Sequence, residues 1–330
     1  MRLLYPNLPW IINDSEYNCS GRSLSEWGSR GSVNEVQGIY FAVSGTIFVI
    51  IYVLCLIGMV RGNLLNIPCY CLMFFNGFID IMDIIAGSFL PAYFHLNGAV
   101  LCSSFTVNWI AGYFSWAVWC GATFNCVVLA LNRVAEMIPS ARFLRFLFRG
   151  NFLRLWMVLC VAYIAIQPFI HRTHPFNTTI SAYINSPMIV DDVQKAADFT
   201  IMLVPIQNVT IVVVLLSLYS LLCFHVLRIP HFAKGSHYKF QVKLFVQALL
   251  ICMTTAITSF LYVLLAFFSL SRSIVITMNI IWQLSHGLHG IIYFCFNRSI
   301  RNESLGGPRE LTIAAAEYLL IYAEIRLESS

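Results

Sequence analysis

Between Asp83 and Arg133 the chain carries no Asp, Glu, Lys or Arg. A membrane-spanning helix takes roughly 20 mostly apolar residues, so this run is too long for one span. The polar break "HLNGAVLCSS" (95–104) divides it in two. The same test along the chain gives seven candidate spans, at about 39–60, 70–93, 105–131, 152–171, 199–224, 244–270 and 274–296. Membrane strands would be about 9–11 residues long and would alternate in polarity. These runs do neither, so the expectation is an all-α membrane protein, a seven-helix transmembrane bundle over 39–300. Residues 1–38 precede it and a tail, 301–330, follows. Composition agrees, because only 11% of residues are charged, against about 25% in a soluble domain.

Orientation follows from Lys and Arg, which concentrate on the cytoplasmic side. With the N-terminus outside and the C-terminus inside, 14 basic residues fall inside and 6 outside. They lie between apolar runs and not along one polar domain, so nothing suggests a nucleic-acid partner. The first residues, interrupted by Pro6 and Pro9, show no cleavable signal pattern. The sequons at Asn13, Asn18 and Asn177 fall on the outer side and are glycosylation candidates. The inner segment "PSARFLRFLFRGNFLR" (139–154) mixes arginine with Phe and Leu, which suits apposition to an anionic leaflet or contact with a cytosolic partner. After Pro308, Glu310, Glu317 and Glu324 form one acidic stripe, so the tail is expected to be a cytoplasmic amphipathic helix.

Asp80 and Asp83 lie near the middle of the second span, three apart and on one face. A carboxylate at that depth costs roughly 2.5–3.5 kcal/mol on insertion scales, which marks a functional candidate. Cation coordination, a switch network or a neutral packing contact are all open to it. His286 and His289, one turn apart in the last span, are polar packing residues on this reading. As metal ligands they would need a third partner, and the span supplies none. No metal or other cofactor is expected. Asn132-Arg133 stands where the third span meets the inner interface, as a positive anchor or as an arginine switch. Trp109, Tyr113 and Trp116 form a stripe in the outer half of that span, which is either core packing or the lining of a ligand cavity. Trp282 and Gln283 could face it. The last two spans hold no lysine, which excludes a retinal Schiff base and with it an opsin.

"NIPCYCLMFFNGFIDIMDI" (66–84), "LNRVAE" (131–136) and "QLSHGLHGIIYFCFNRSIR" (283–301), with "YNCSG" and "WGSRG" near the start, resemble the nematode serpentine chemoreceptors of class T. The resemblance implies a chemosensory G-protein-coupled receptor in the plasma membrane of sensory neuron cilia. It would bind a small environmental chemical in the outer half of the bundle and activate a heterotrimeric G protein. By analogy with rhodopsin-like receptors, Asp80, Asn132, Arg133 and Tyr293 would form the activation network. No proline precedes Tyr293 in the usual place and the sixth span has none, so the helix motions of those receptors need not transfer. A transporter or channel is the alternative function, and it predicts repeats and broken helices. No repeat is evident. A hydrolase would need a metal or nucleophile constellation.

Eleven cysteines are present, and nine lie in spans or at their inner ends. Cys19 and Cys102 alone face the oxidising side. The outer loop 172–198, which supplies the partner cysteine in most rhodopsin-like receptors, has none. A Cys19–Cys102 disulfide is therefore expected, which would strap the N-terminal segment over the mouth of the bundle. Two free or intermolecularly paired thiols are the alternative.

Overall fold

The computed structural model describes residues 3–189, 199, 201–228, 236–268 and 270–304. The expected tail helix and part of the outer loop lie outside these residues. Seven long helical stretches are described: Glu35–Arg61, Pro68–Asn97, Phe105–Met137, Gly150–Ile170, Leu203–Arg228, Ser236–Phe267 and Arg272–Phe296. They are called the first to seventh spans below. The first six are long and apolar enough to cross a membrane. The seventh is also long enough, at 25 residues or roughly 37 Å at 1.5 Å per residue. Its apolar signal is diluted by Asn279, Gln283, Ser285, His286 and His289, all buried inside the bundle.

The third span is central and buried on nearly every side, whereas the fourth buries only Cys160 and Gln167. Large apolar side chains face outward instead. On the first span Val36, Ile39, Val43, Ile47 and Ile50 form an exposed stripe at helical spacing. Such stripes mark a surface solvated by lipid.

The second span is not a continuous α-helix. Pro68–Ile84 passes through a π-helical turn at Ile85–Phe89 into Leu90–Asn97. In π register the Ala86 carbonyl would accept from the amide five residues on. That residue is Pro91, which has no N–H. The hydroxyl of Tyr183 donates to Ala86 O instead, at 2.9 Å.

Tyr183 belongs to a two-stranded hairpin, Phe176–Asn177 paired with Ala182–Tyr183, which dips into the outer bundle. Side chains supply the hydrogen bonds that a wider sheet would have given its backbone. Asn108 holds Phe176 on both sides, accepting from its N–H at 2.6 Å and donating to its carbonyl at 2.9 Å. Asn279 donates to Ser181 O at 3.0 Å.

The N-terminal segment covers the end of the fourth span. A helix leaves its last carbonyls without partners. Here the amides of Tyr5 and Asn7 donate to Ile170 O and Phe169 O, and the Asn7 side chain donates to Pro168 O and His171 O. Arg172 pairs with Glu16 at 2.6 Å. Cys19 and Cys102 form the disulfide, with Cα atoms 5.5 Å apart. Nearby, a Cβ on Gly31 would fall 1.6 Å from Gly98 O, so only glycine lets the segment lie against that turn.

Candidate functional site

Under the hairpin lies a cavity of about 450 Å³. Trp116, Trp119, Tyr183, Tyr262 and Trp282 give it an aromatic wall, and Val204 and Leu265 add aliphatic surface. Among the described residues, no Asp, Glu, Lys or Arg lines it. The polar lining comes from Ser115, His174, Asn185, Ser186 and Asn208. Burial pushes the His174 imidazole down from 6.5 to about 4, so it is neutral at physiological pH.

Of the five residues expected to face a ligand, Trp116 and Trp282 line this cavity. The other three turn elsewhere. Trp109 donates to Pro9 O at 2.9 Å and meets Tyr17 edge-on, and the Tyr113 hydroxyl accepts from Asn7 at 3.1 Å. They lie one and two turns higher on the third span and seat the N-terminal segment. Gln283 donates to Ser44 Oγ and Ser88 Oγ, tying the first, second and seventh spans together. Trp119 was missed, although it continues the same stripe one turn below Trp116. Tyr183 and Tyr262 carry no comparable signal, because nothing in their spacing shows that a hairpin enters the bundle.

Below the cavity sits a buried polar cluster. Trp119 joins the two, donating to Asn208 Oδ1 at 3.1 Å and meeting the His286 ring edge-on at 5.8 Å. Asp80 gathers four partners. Tyr52 Oη donates to Oδ2 at 2.6 Å, Asn76 Nδ2 bonds the same oxygen, and His286 Nδ1 and His289 Nδ1 lie 2.7 and 3.1 Å from Oδ1 and Oδ2. Asn125 extends the cluster to the third span by donating to Asn76 Oδ1 at 2.9 Å. The third partner that the two histidines lacked on their own helix is thus Asp80, from the second span. Asp83 is as deeply buried, yet neither of its oxygens has a hydrogen-bond partner.

Towards the inner end, Tyr293 is fully buried and packs edge-on against Tyr52 at 6.1 Å. Arg133 is almost fully buried, bonding Asn132 Oδ1 and donating to Gln241 Oε1 at 3.1 Å. Glu136 pairs with Arg145 at 3.2 Å and so does not hold Arg133. Asp80 and Arg133 therefore belong to separate polar groups, and the Tyr52–Tyr293 contact leads from the upper group inward.

Of the three sequons, Asn13 and Asn18 are exposed. Asn177 is largely buried in the hairpin, with its amide on Met188 and its Oδ1 on Thr179.

Comparison with known proteins agrees with the architecture. Residues 1–307 match the family described as "Serpentine type 7TM GPCR chemoreceptor Srt". A Caenorhabditis elegans protein named "Serpentine receptor class T-55" is 26% identical over 296 residues, covering 89% of this chain and 80% of that protein. The bundle of long apolar helices agrees with that match, and the chain belongs to the Srt family of serpentine seven-transmembrane chemoreceptors.

Proposed function

We propose that the protein is a chemosensory G-protein-coupled receptor of the plasma membrane, with its N-terminus outside and its C-terminus inside. A small molecule would bind in the outer cavity, and a heterotrimeric G protein would dock on the inner face around 134–154 and 225–243. The aromatic cavity of about 450 Å³, joined through Trp119 to the buried cluster, carries this reading. Its volume and few polar groups suit a small ligand. With no charged side chain in the wall among the described residues, the site favours a neutral, largely apolar molecule over an ion, whose desolvation would go uncompensated.

Signalling needs the ligand to bind one of two states more tightly. Ligand contact with Trp119 would bear on both Asn208 and His286. From there the route inward runs through Asp80 and Tyr52 to Tyr293. Arg133, tied to Gln241 of the sixth span, would be released as the inner ends separate.

The test is a chemical screen in cells that report G-protein activation, with Trp119→Ala as the comparison. Agonists should be neutral, and Trp119→Ala should abolish their effect without loss of surface expression. No response across a broad panel of neutral and charged compounds would count against the reading.

A further inference from the structure

The cluster around Asp80 has a hydrogen-bonding conflict that points to a cation. His289 Nε2 lies 3.2 Å from Ile251 O, which can only accept, and 3.0 Å from Thr254 Oγ1. Thr254 spends its own proton on Ile251 O, at 2.7 Å. Nε2 therefore carries the ring hydrogen and donates. In a neutral imidazole the other nitrogen, Nδ1, then presents a lone pair. It faces Asp80 Oδ2 at 3.1 Å, an oxygen that already accepts from Tyr52 and Asn76. Two lone pairs do not meet at that distance unless something positive stands between them, either a proton on Nδ1 that makes the ring an imidazolium or a bound metal ion.

The charge balance says the same. Asp80 and Asp83 are both buried, and Asp83 Oδ2 lies 3.8 Å from His286 Nδ1 with no hydrogen-bond partner. Among the described residues, no Lys or Arg pairs with either carboxylate. Buried charges are paired or bind metals. A single dication would balance two carboxylates.

We propose that Asp80, His286 and His289 form a binding site for a zinc-class divalent cation in the middle of the bundle, with Asp83 as the facing carboxylate. Their ligating atoms all lie within 4.8 Å of one another. The ligands come as two pairs spaced three residues apart, on two facing helices. Imidazole nitrogens select zinc over hard cations, which prefer all-oxygen shells. Tyr52 and Asn76, bonded to Asp80, orient its carboxylate as outer-shell partners do in metal sites. Trp119 separates the cluster from the cavity by one ring, which gives the ion a short route from the outside.

The experiment uses full-length receptor in detergent, purified without a histidine tag, stripped with chelator and dialysed against micromolar zinc. About one zinc per chain should be retained, and X-ray absorption at the zinc edge should show imidazole nitrogen and carboxylate oxygen near 2.0–2.2 Å. His286→Gln and His289→Gln should each abolish retention. Tyr52→Phe should weaken it by about 10–100-fold, and a His171→Gln/His174→Gln double variant should leave it unchanged. No stoichiometric zinc, a shell containing sulfur, or retention that survives both histidine substitutions would overturn the proposal. Should those variants fail to fold, the spectrum of the wild-type protein decides alone.

Discussion

Tyr52 donates a 2.6 Å hydrogen bond to Asp80, and its ring meets Tyr293 edge-on at 6.1 Å. One side chain of the first span therefore touches both the polar cluster and the inner end of the seventh. Tyr52→Phe keeps the ring contact and removes the hydrogen bond. Loss of a buried bond of this kind costs about 1–3 kcal/mol. Thermal unfolding in detergent should show that loss for Tyr52→Phe and a clearly larger one for Tyr52→Ala. Equal losses would mean that the contact with Tyr293 contributes nothing.

The disulfide closes a loop of 83 residues. The chain-entropy account puts a loop of this length at about 4.5 kcal/mol, and removing a disulfide typically costs about 2–4 kcal/mol. Cys102→Ser should lower Tm accordingly, and the N-terminal segment should become accessible to protease. Peptide mapping under non-reducing conditions should recover Cys19 and Cys102 in one linked fragment.

The Glu16–Arg172 pair holds the same segment by charge. Arg172 is buried and also lies 4.3 Å over the Tyr5 ring, whereas Glu16 is partly exposed. Removing one partner of a buried pair weakens what holds the other in place. Glu16→Gln should cost about 1–3 kcal/mol and increase proteolysis before residue 20. The charge-swapped double variant Glu16→Arg/Arg172→Glu should recover part of it, and a double-mutant cycle on protease protection measures the coupling.

His174 predicts a pH dependence with a definite sign. Its folded-state value of about 4 lies below the ordinary 6.5 because of burial. As pH falls below about 6.5, the unfolded chain takes up a proton that the folded protein refuses. Stability should be flat above pH 7 and fall between about 6.5 and 4, by up to about 1.4 kcal/mol per pH unit from this group. His174→Gln should reduce the slope in that window, read as Tm against pH, while neighbouring His171, pushed down to about 3 by burial, keeps the rest. A profile unchanged by the substitution would show that His174 is solvated.

Gly112 marks a close approach. A Cβ there would lie 2.2 Å from Thr173 Oγ1 and 2.7 Å from His174 O. Gly112→Ala should push the outer loop off the third span, at a cost of about 1–3 kcal/mol for overpacking. A Thr173→Ala second substitution should relieve only part of this, since the backbone oxygen stays.

The sequence by itself determined the seven helical runs. Lipid offers backbone groups no partners, so an apolar stretch of this length has to be helical. Counting cysteines outside the spans also reduced the outer disulfide to one possible pair. Tertiary structure decided the rest. The spacing of Trp109, Tyr113 and Trp116 placed them on one face of a helix, but not what covers each level of it. The N-terminal segment took the upper two and left the cavity to Trp116 and Trp119. Asp80 and His286 stand 206 residues apart in the chain and 2.7 Å apart in the fold. Periodicity describes which residues share a face of one helix. Which face of another helix lies opposite depends on how the whole bundle packs, and that is what makes a pair of polar packing histidines part of the cluster around Asp80.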